Sequence, residues 1–481
     1  MASDTSAVHP VDEKLPLWRL GAYGFQHILA FYSAAVIVPI LVAGALHLPQ
    51  ETLIHLIDAD LFTCGIASLL QSVGFGPVGV RLPLLQGVTF TAVGPMIAIG
   101  SAVGGGTPGL LSIYGSVIVA GIVSLLIAPY FAKLVRFFPP VVTGSIILVI
   151  GLALLPVAAN DIVSGHGPGM VQDRVPLRSL CYGLGTLASI LLVQRLFRGF
   201  ISTIAVLIGL CIGTLAAWLM GDAHFGGVAS APLVSITQPF FFGTPTFHVV
   251  PILSMVIVMV ITMVETIGNV YATGEIVEKT ITREDIARTL RADGIATLLG
   301  GVFNSFPYTC FAENVGLVRM TGVKSRWVVA SAAVIMMMLG CLPKLGAIVA
   351  AVPLPVLGGA ALAMFATVAV VGVQALTRVD FNRQSNVIIV GTSIGLGMLA
   401  TAQPHISDTF PMWAQIVFGS GITLGALSAI FLHLLFNVRR TLAVDPEAEI
   451  VVADLPDERI LMGLPVESEG PVTEGRQRRF G

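Results

Sequence analysis

Glu265 stands in Met263-Val264-Glu265-Thr266-Ile267-Gly268-Asn269 and Glu313 in Phe311-Ala312-Glu313-Asn314, each inside a long apolar segment. A carboxylate at the centre of a bilayer is costly unless it is paired, solvated or protonated, so an ionisable residue in such a place marks a functional site by default. Ionised, it accepts hydrogen bonds from N–H donors; protonated, it also donates one. The structural alternative is a hydrogen bond between helices. Gln26 and His27 in the first apolar run are candidates for the same site or for a bond to a neighbouring backbone. Phe90 and Phe311 offer rings that stack on a flat solute. Asp58, Asp60, Asp293 and Glu275 lie near the ends of their apolar runs and read as interfacial or gating groups.

Covalent and metal chemistry lack their parts. The nine histidines form no metal-ligand spacing, and the serines and cysteines have no histidine partner on a shared helical face. Cys64, Cys181, Cys211, Cys310 and Cys341 are odd in number and contain no C-x-x-C pair, which suggests neither a disulfide framework nor a metal site. The chain therefore reads as a transporter or a passive channel rather than an enzyme.

The elements that position these residues follow from composition. Charged residues make up 11% of the chain and mean hydropathy is +0.91, whereas a soluble domain carries about 25% charged residues. Such a chain cannot coat itself against water, and the lipid bilayer becomes its solvent. A net charge of -2 gives no reason to expect a nucleic-acid partner. Lipid demands that the backbone satisfy itself, which makes an all-α polytopic protein the expected class.

Splitting the chain at polar or Pro/Gly-rich breaks gives about fourteen spans of ~20 residues: 19–46, 57–75, 84–102, 110–132, 140–158, 179–195, 200–220, 248–274, 288–302, 307–321, 327–343, 353–373, 385–402 and 412–437. Residues 1–18 read as a retained cytoplasmic tail, since the first apolar run is too long for a signal peptide and lacks a cleavage site. Residues 441–481 are charged and read as a second cytoplasmic tail. With both ends inside, the inner loops receive most of the arginines and lysines, among them Arg81, Lys133, Arg195, Lys279 and Arg326. The outer loops receive Arg174, Arg178 and Lys344, as the positive-inside rule requires.

The chain also repeats itself. Gly65-Ile66-Ala67-Ser68-Leu69-Leu70 is echoed by Gly294-Ile295-Ala296-Thr297-Leu298-Leu299, and Pro140-Val141-Val142-Thr143-Gly144 by Pro355-Val356-Leu357-Gly358-Gly359. Pro83 precedes Thr89 by the interval that separates Pro307 from Glu313. The copies lie an odd number of spans apart, so the expected architecture is two inverted repeats of about seven segments each. Segments three and ten open with proline, polar and β-favouring residues, which predicts a short extended stretch running into a half-helix. Paired in two halves, such segments point to a binding site at the midplane.

These residues carry a family resemblance. Glu313-Asn314-Val315-Gly316, continuing to Thr321, resembles the signature of the nucleobase-ascorbate transporter family, and Gln26-His27 resembles that family's glutamine-histidine pair. Within the family, Gly79-Val80-Arg81-Leu82-Pro83, Val88-Thr89-Phe90 and Phe303-Asn304-Ser305-Phe306-Pro307 are similar to the bacterial uric acid and xanthine permeases.

The resemblance implies a core domain from 19–137 and 248–350, a gate domain from 138–247 and 351–440, residence in the cell inner membrane, and a homodimer. It implies symport with the proton as coupling ion and no cofactor. Glu265 and Glu313 would bind edges of the base, the backbone of Phe90 and Phe311 would complete the cradle with Ala312, and Thr89 would face it. Asn314 would support the site, and Thr321 would act on specificity from further away. Purine permeases of this type usually carry glutamine where this chain has Glu313, and uracil permeases carry glutamate. Many relatives have Asp or His where it has Asn269, so coupling would rest on Glu265, Glu313 or His27. The expected substrate is uric acid and/or xanthine, with uracil:proton symport as the alternative.

Overall fold

The computed structural model describes residues 9–163, 177–410, 414–415 and 418–443. The first eight residues of the expected amino-terminal tail, Arg174, the start of the last expected span at 412 and the tail beyond 443 lie outside the described residues.

The first part of the chain forms α1 (Leu17–Ala45), α2 (Gln50–Val73), strand β1 (Gln86–Val88), α3 (Val93–Ala102) and α4 (Gly106–Phe131). Then come α5 (Pro140–Val163), α6 (Leu177–Leu196), the short α7 (Phe200–Thr203), α8 (Ala205–Leu219) and the short α9 (Gly226–Ser230). The plan resumes with α10 (Val249–Val277), α11 (Arg283–Val302), strand β2 (Tyr308–Cys310), α12 (Ala312–Thr321) and α13 (Arg326–Leu339). It ends with α14 (Pro343–Ala350), α15 (Leu354–Leu376), α16 (Gln384–Ala402) and α17 (Gly421–Ala443). Among the described residues, 8 helices are long and apolar enough to cross a membrane, or 9 if the pair α13 and α14, bent by 82°, is one span. The segment 90–102, α8 and α17 add shorter apolar helices.

α14 is an element the sequence reading does not contain: α13 covers most of the span expected at 327–343, and Pro343 at the end of that span starts a new helix, because a proline suits a helix start and not its interior. α2 and α11 begin earlier than the apolar runs suggest. α11 starts on a capping box, in which the Thr282 hydroxyl accepts the Asp285 N–H and the Asp285 carboxylate accepts that of Thr282, so the charged residues Arg283, Glu284 and Asp285 are helical.

The two expected extended stretches are present and pair with each other. β1 and β2 run antiparallel with Gln86 opposite Cys310, Gly87 opposite Thr309 and Val88 opposite Tyr308. Thr89 N–H to Pro307 O (2.9 Å) and Phe311 N–H to Leu85 O (3.0 Å) extend the ladder at both ends. Away from water, the remaining backbone groups of a three-residue strand need partners. Ser68 Oγ accepts Gln86 N–H at 2.9 Å, and Thr297 Oγ1 accepts Tyr308 N–H at 3.1 Å. Ser68 and Thr297 occupy the same place in the repeated motif, and each serves the first residue of the strand that follows it. Ser68→Ala and Thr297→Val should each leave one buried N–H orphaned at a cost of about 1–3 kcal/mol. The check is the apparent melting temperature of the purified protein, which should fall for both variants.

Helix packing relies on small residues, which let backbones approach where lipid gives no hydrophobic drive between helices. α2 crosses α13 antiparallel at Gly65 and Gly340, where a Cβ would sit 2.6 Å from Ala333 O and 2.7 Å from Asp58 O respectively. α4 crosses α11 in the same way at Gly121 and Gly294. α5 crosses α15 at Gly151, Gly358 and Gly372. α5, α6, α8, α15, α16 and α17 pack largely among themselves, and α1 to α4 with α10 to α13 pack around the strands.

Candidate functional site

The strand crossing gathers most of the residues singled out by the sequence. The 3-10 turn Phe90–Ala92 and α3 follow β1, and α12 follows β2 directly, so two short helices begin where the strands cross. No side chain caps the start of α12 at Phe311. Its first N–H groups have no intrahelical partner, and the positive end of its dipole faces the crossing.

Glu313 is the second residue of α12, and Glu265 faces the turn after β1: the Thr91 hydroxyl donates to Glu265 Oε2 at 3.2 Å. Glu265, Ala312 and Glu313 are partly exposed, whereas Thr266, Thr309, Phe311 and Asn314 beside them are buried. Glu265 lies within coulombic range of Glu313 and of Asp293.

Aromatic rings close around this place. Phe311 meets Phe31 edge-on at 4.9 Å between centroids and Phe90 at 5.6 Å, and Phe90 meets Phe365 of α15 at 5.3 Å. Rings at these separations are in favourable edge-to-face contact. Phe31 and Phe365 were not visible as site residues in the sequence, because single phenylalanines in apolar helices carry no positional signal.

Behind the site lies a support layer. His27 Nδ1 is bonded to Asn314 Oδ1 at 2.7 Å, and Asn314 Nδ2 donates to Pro83 O at 2.7 Å, so one asparagine joins α1 and the approach to β1 to α12. Asn269 Nδ2 donates to Cys310 O at 2.7 Å and fixes the edge of β2. Thr89 is buried and its hydroxyl accepts the Thr91 N–H at 3.2 Å, which shapes the turn carrying Phe90. Two residues stand apart from these bonds. Gln26 is half-buried on α1, and Thr321 closes the far end of α12, its hydroxyl bonded to Leu317 O at 2.9 Å. Eight residues at 1.5 Å rise place Thr321 about 12 Å along the helix from Glu313.

Three carboxylates depart from their sequence reading: Asp58, 5% exposed and in the third turn of α2, and the pair that follows. Asp60 and Asp293 are both 0% exposed and lie mid-helix instead of at span ends, because both helices begin with polar turns that an apolar window clips. Asp293 accepts from Gln86 of β1, from Gln71 Nε2 at 3.3 Å and from the Thr266 hydroxyl at 2.6 Å. Asp60 Oδ1 accepts from Ser305 at 3.0 Å and from Tyr308 at 2.9 Å. Each carboxylate thus ties a helix of one half to the extended segment of the other. Glu275 does lie near the end of α10, where it pairs with Arg378 at 3.1 Å.

Buried carboxylates, paired broken helices and a surrounding bundle of apolar helices define a membrane transporter fold. The structure is similar to the transmembrane domain of the cyanobacterial bicarbonate transporter BicA (TM-score 0.56, 17% identity, covering 88% of this chain and 100% of that one). It is also similar to the murine anion transporter Slc26a9 in its inward-facing state (TM-score 0.59, 12% identity, covering 89% and 69%). At these identities the likeness concerns the fold alone.

Residues 20–406 match the Xan_ur_permease model, described as a permease family, and the chain belongs to that family, the nucleobase-ascorbate transporters. It is 42% identical over 428 residues to the xanthine permease of Bacillus subtilis strain 168, covering 89% of this chain and 96% of that protein. It is 42% identical over 427 residues to the uric acid permease PucK of the same organism, covering 89% and 97%. The uric acid transporter UacT of Escherichia coli K12 is 41% identical over 431 residues, covering 89% and 88%.

Proposed function

We propose that this nucleobase transporter is a proton symporter importing a purine base, uric acid and/or xanthine, across the cell inner membrane. The observation that carries the reading is the pair of half-open carboxylates, Glu265 and Glu313, beside the uncapped start of α12. Uric acid and xanthine are flat rings whose edges alternate N–H and C=O. Ionised carboxylates accept from the N–H groups, while the first backbone N–H groups of α12 and those around Phe90 donate to the carbonyls. Phe90 and Phe311 cover the ring faces, with Ala312 and Thr89 at its rim. His27, Asn314 and Asn269 hold the frame, Gln26 borders it, and Thr321 tunes specificity from the far end of α12.

The proton enters with the base. A protonated carboxylic acid donates as well as accepts, and it removes a charge whose transfer through the membrane is costly. Release to the inside frees both.

The movement is alternating access, a core domain (19–137 and 248–350) shifting against a gate domain (138–247 and 351–440). Two features support this division: helices of each set pack mainly with their own, and the Phe90–Phe365 and Glu275–Arg378 contacts run between the sets. We read the chain as fourteen segments in two inverted repeats. Support comes from Ser68 and Thr297, which hold the same place in the repeated motif and each accept the N–H of the first residue of the strand that follows. Both termini are placed in the cytoplasm, and the assembly is a homodimer.

Uptake of radiolabelled xanthine by cells expressing the chain, with unlabelled bases as competitors, tests the substrate. Uric acid and xanthine should each suppress uptake at concentrations where uracil has no effect. Suppression by uracil together with indifference to uric acid would reverse the assignment.

A further inference from the structure

The connection from α8 to α10 contains α9 and changes partners along its length. Its first residues are held by helices of the gate. Asp222 N–H and Ala223 N–H both donate to Ala217 O near the end of α8, at 2.9 and 3.3 Å. The Asp222 carboxylate accepts from Arg178 at 3.2 Å and from Tyr182 at 2.6 Å, both on α6.

From Gly226 onward the partners are those of the core. α9 packs against α14, and a Cβ on Gly227 would lie 3.5 Å from Gln50 Nε2 at the start of α2. Ser235 N–H donates to Cys341 O at 3.0 Å, and Phe240 N–H to Val302 O at 2.9 Å. Asn304 Nδ2 donates to Gln238 O at 2.9 Å, and Thr246 N–H to Leu111 O of α4 at 3.1 Å. The Phe241 ring lies 4.2 Å from that of His55 on α2, and Phe242 stacks on Tyr114 of α4. Among the described residues, no hydrogen bond or ring contact joins 226–247 to α5–α8 or α15–α17.

The seating is firm. Phe240 (φ 53°) and Asn304 (φ 64°), on the two sides of this contact, both hold left-handed backbones, and strain of that kind in residues other than glycine persists only where the surroundings over-determine it. Between the two attachments stand His224 and Phe225. His224 is exposed and makes no hydrogen bond among the described residues. Phe225 bonds only forward, its carbonyl accepting Val228 N–H at 3.0 Å. Sliding the segment across the core would break its backbone bonds together, whereas turning the chain at 224–225 breaks none of them. Hinges are such short stretches, where a few loop residues absorb the backbone change.

We propose, resting on the alternating movement of core against gate, that residues 226–247 are a strap that travels with the core domain and that His224 and Phe225 are the hinge at its head. The boundary of the moving gate then falls at 223 instead of 247. Val302 and Asn304, which hold the strap, lead into β2, so the strap keeps the approach to the strand crossing rigid while the bodies move.

The test bridges pairs of thiols in the purified full-length chain with a short bifunctional methanethiosulfonate reagent, then reconstitutes it and measures xanthine uptake before and after reduction. Rates are taken relative to the wild type given the same reagent. Ser235→Cys pairs with the native Cys341; the double variant Gln50→Cys, Gly227→Cys covers the case in which Ser235→Cys does not fold. Bridging either pair should leave uptake within about twofold of the reduced protein, because both ends lie in one rigid body. Thr203→Cys with Met320→Cys joins α7 of the gate to α12 of the core, where the two side chains meet at 3.1 Å. That bridge should lower uptake at least about tenfold, because it blocks the movement that gates transport. If bridging the strap to the core stops uptake as fully as bridging Thr203→Cys to Met320→Cys, the strap moves with the gate and the proposal is overturned. Strap pairs that fold but never bridge overturn it as well, since the contacts then do not persist. A harmless bridge between α7 and α12 is a different result: it removes the alternating movement itself.

Discussion

Uptake by Glu265→Gln is expected to fall about ten- to a hundredfold, with the protein still present in the membrane at normal levels. Each carboxylate in the proposed site accepts a ring N–H, and a hydrogen bond to a charged group contributes ~1.5–3 kcal/mol. Because 1.4 kcal/mol is a factor of ten in affinity, losing one such bond costs one to two decades. Losing the protonatable oxygen pair also removes the means of coupling. Glutamine keeps the shape of the side chain, and the position is partly open, so stability should change little. The measurement is initial-rate uptake of radiolabelled xanthine normalised to protein in the membrane fraction. Wild-type rates in Glu265→Gln would remove that residue from the binding role.

Asp293→Ala is expected to affect the fold itself. The carboxylate receives Gln71, Gln86 and Thr266 in a place with 0% exposure. Removing it takes the shared acceptor from three buried donors, and each donor left short of a partner costs about 1–3 kcal/mol. Gln86 belongs to β1, and Thr266 also touches Thr309 of β2 at 3.0 Å, so both strands lose their anchor. Asp293→Asn, which keeps one acceptor oxygen, should be milder. Size-exclusion profile and apparent melting temperature report the effect; a monodisperse Asp293→Ala protein melting with the wild type would show that the network does not hold the crossing.

The sequence made the two broken segments legible because lipid leaves so few choices. Proline followed by Gln86 and Val88, and again by Tyr308 and Thr309, cannot remain helical and cannot lie exposed in a bilayer, so two extended stretches were expected, and two are found. Ser68 and Thr297 were legible as a repeat but not as strand caps, since nothing in a one-dimensional pattern says which backbone group a hydroxyl will meet. Asp60 and Asp293 were misplaced for a related reason: apolar windows end at charged residues, whereas helices end where capping fails, and the capping box at Thr282 carries α11 well beyond its apolar part. Asn269 looked like the loss of a proton carrier and turns out to hold the Cys310 carbonyl. Phe31 and Phe365 remained hidden because their importance lies wholly in the rings they meet across the fold.

The central claim is that the two site glutamates couple a purine base to a proton. Proteoliposomes containing the purified chain, given radiolabelled xanthine under an inside-alkaline pH gradient, test it most directly. The account predicts accumulation above the external concentration that collapses when a protonophore is added and does not occur with Glu265→Gln. Entry that stops at equal concentrations and ignores the protonophore would contradict it and would favour a passive channel.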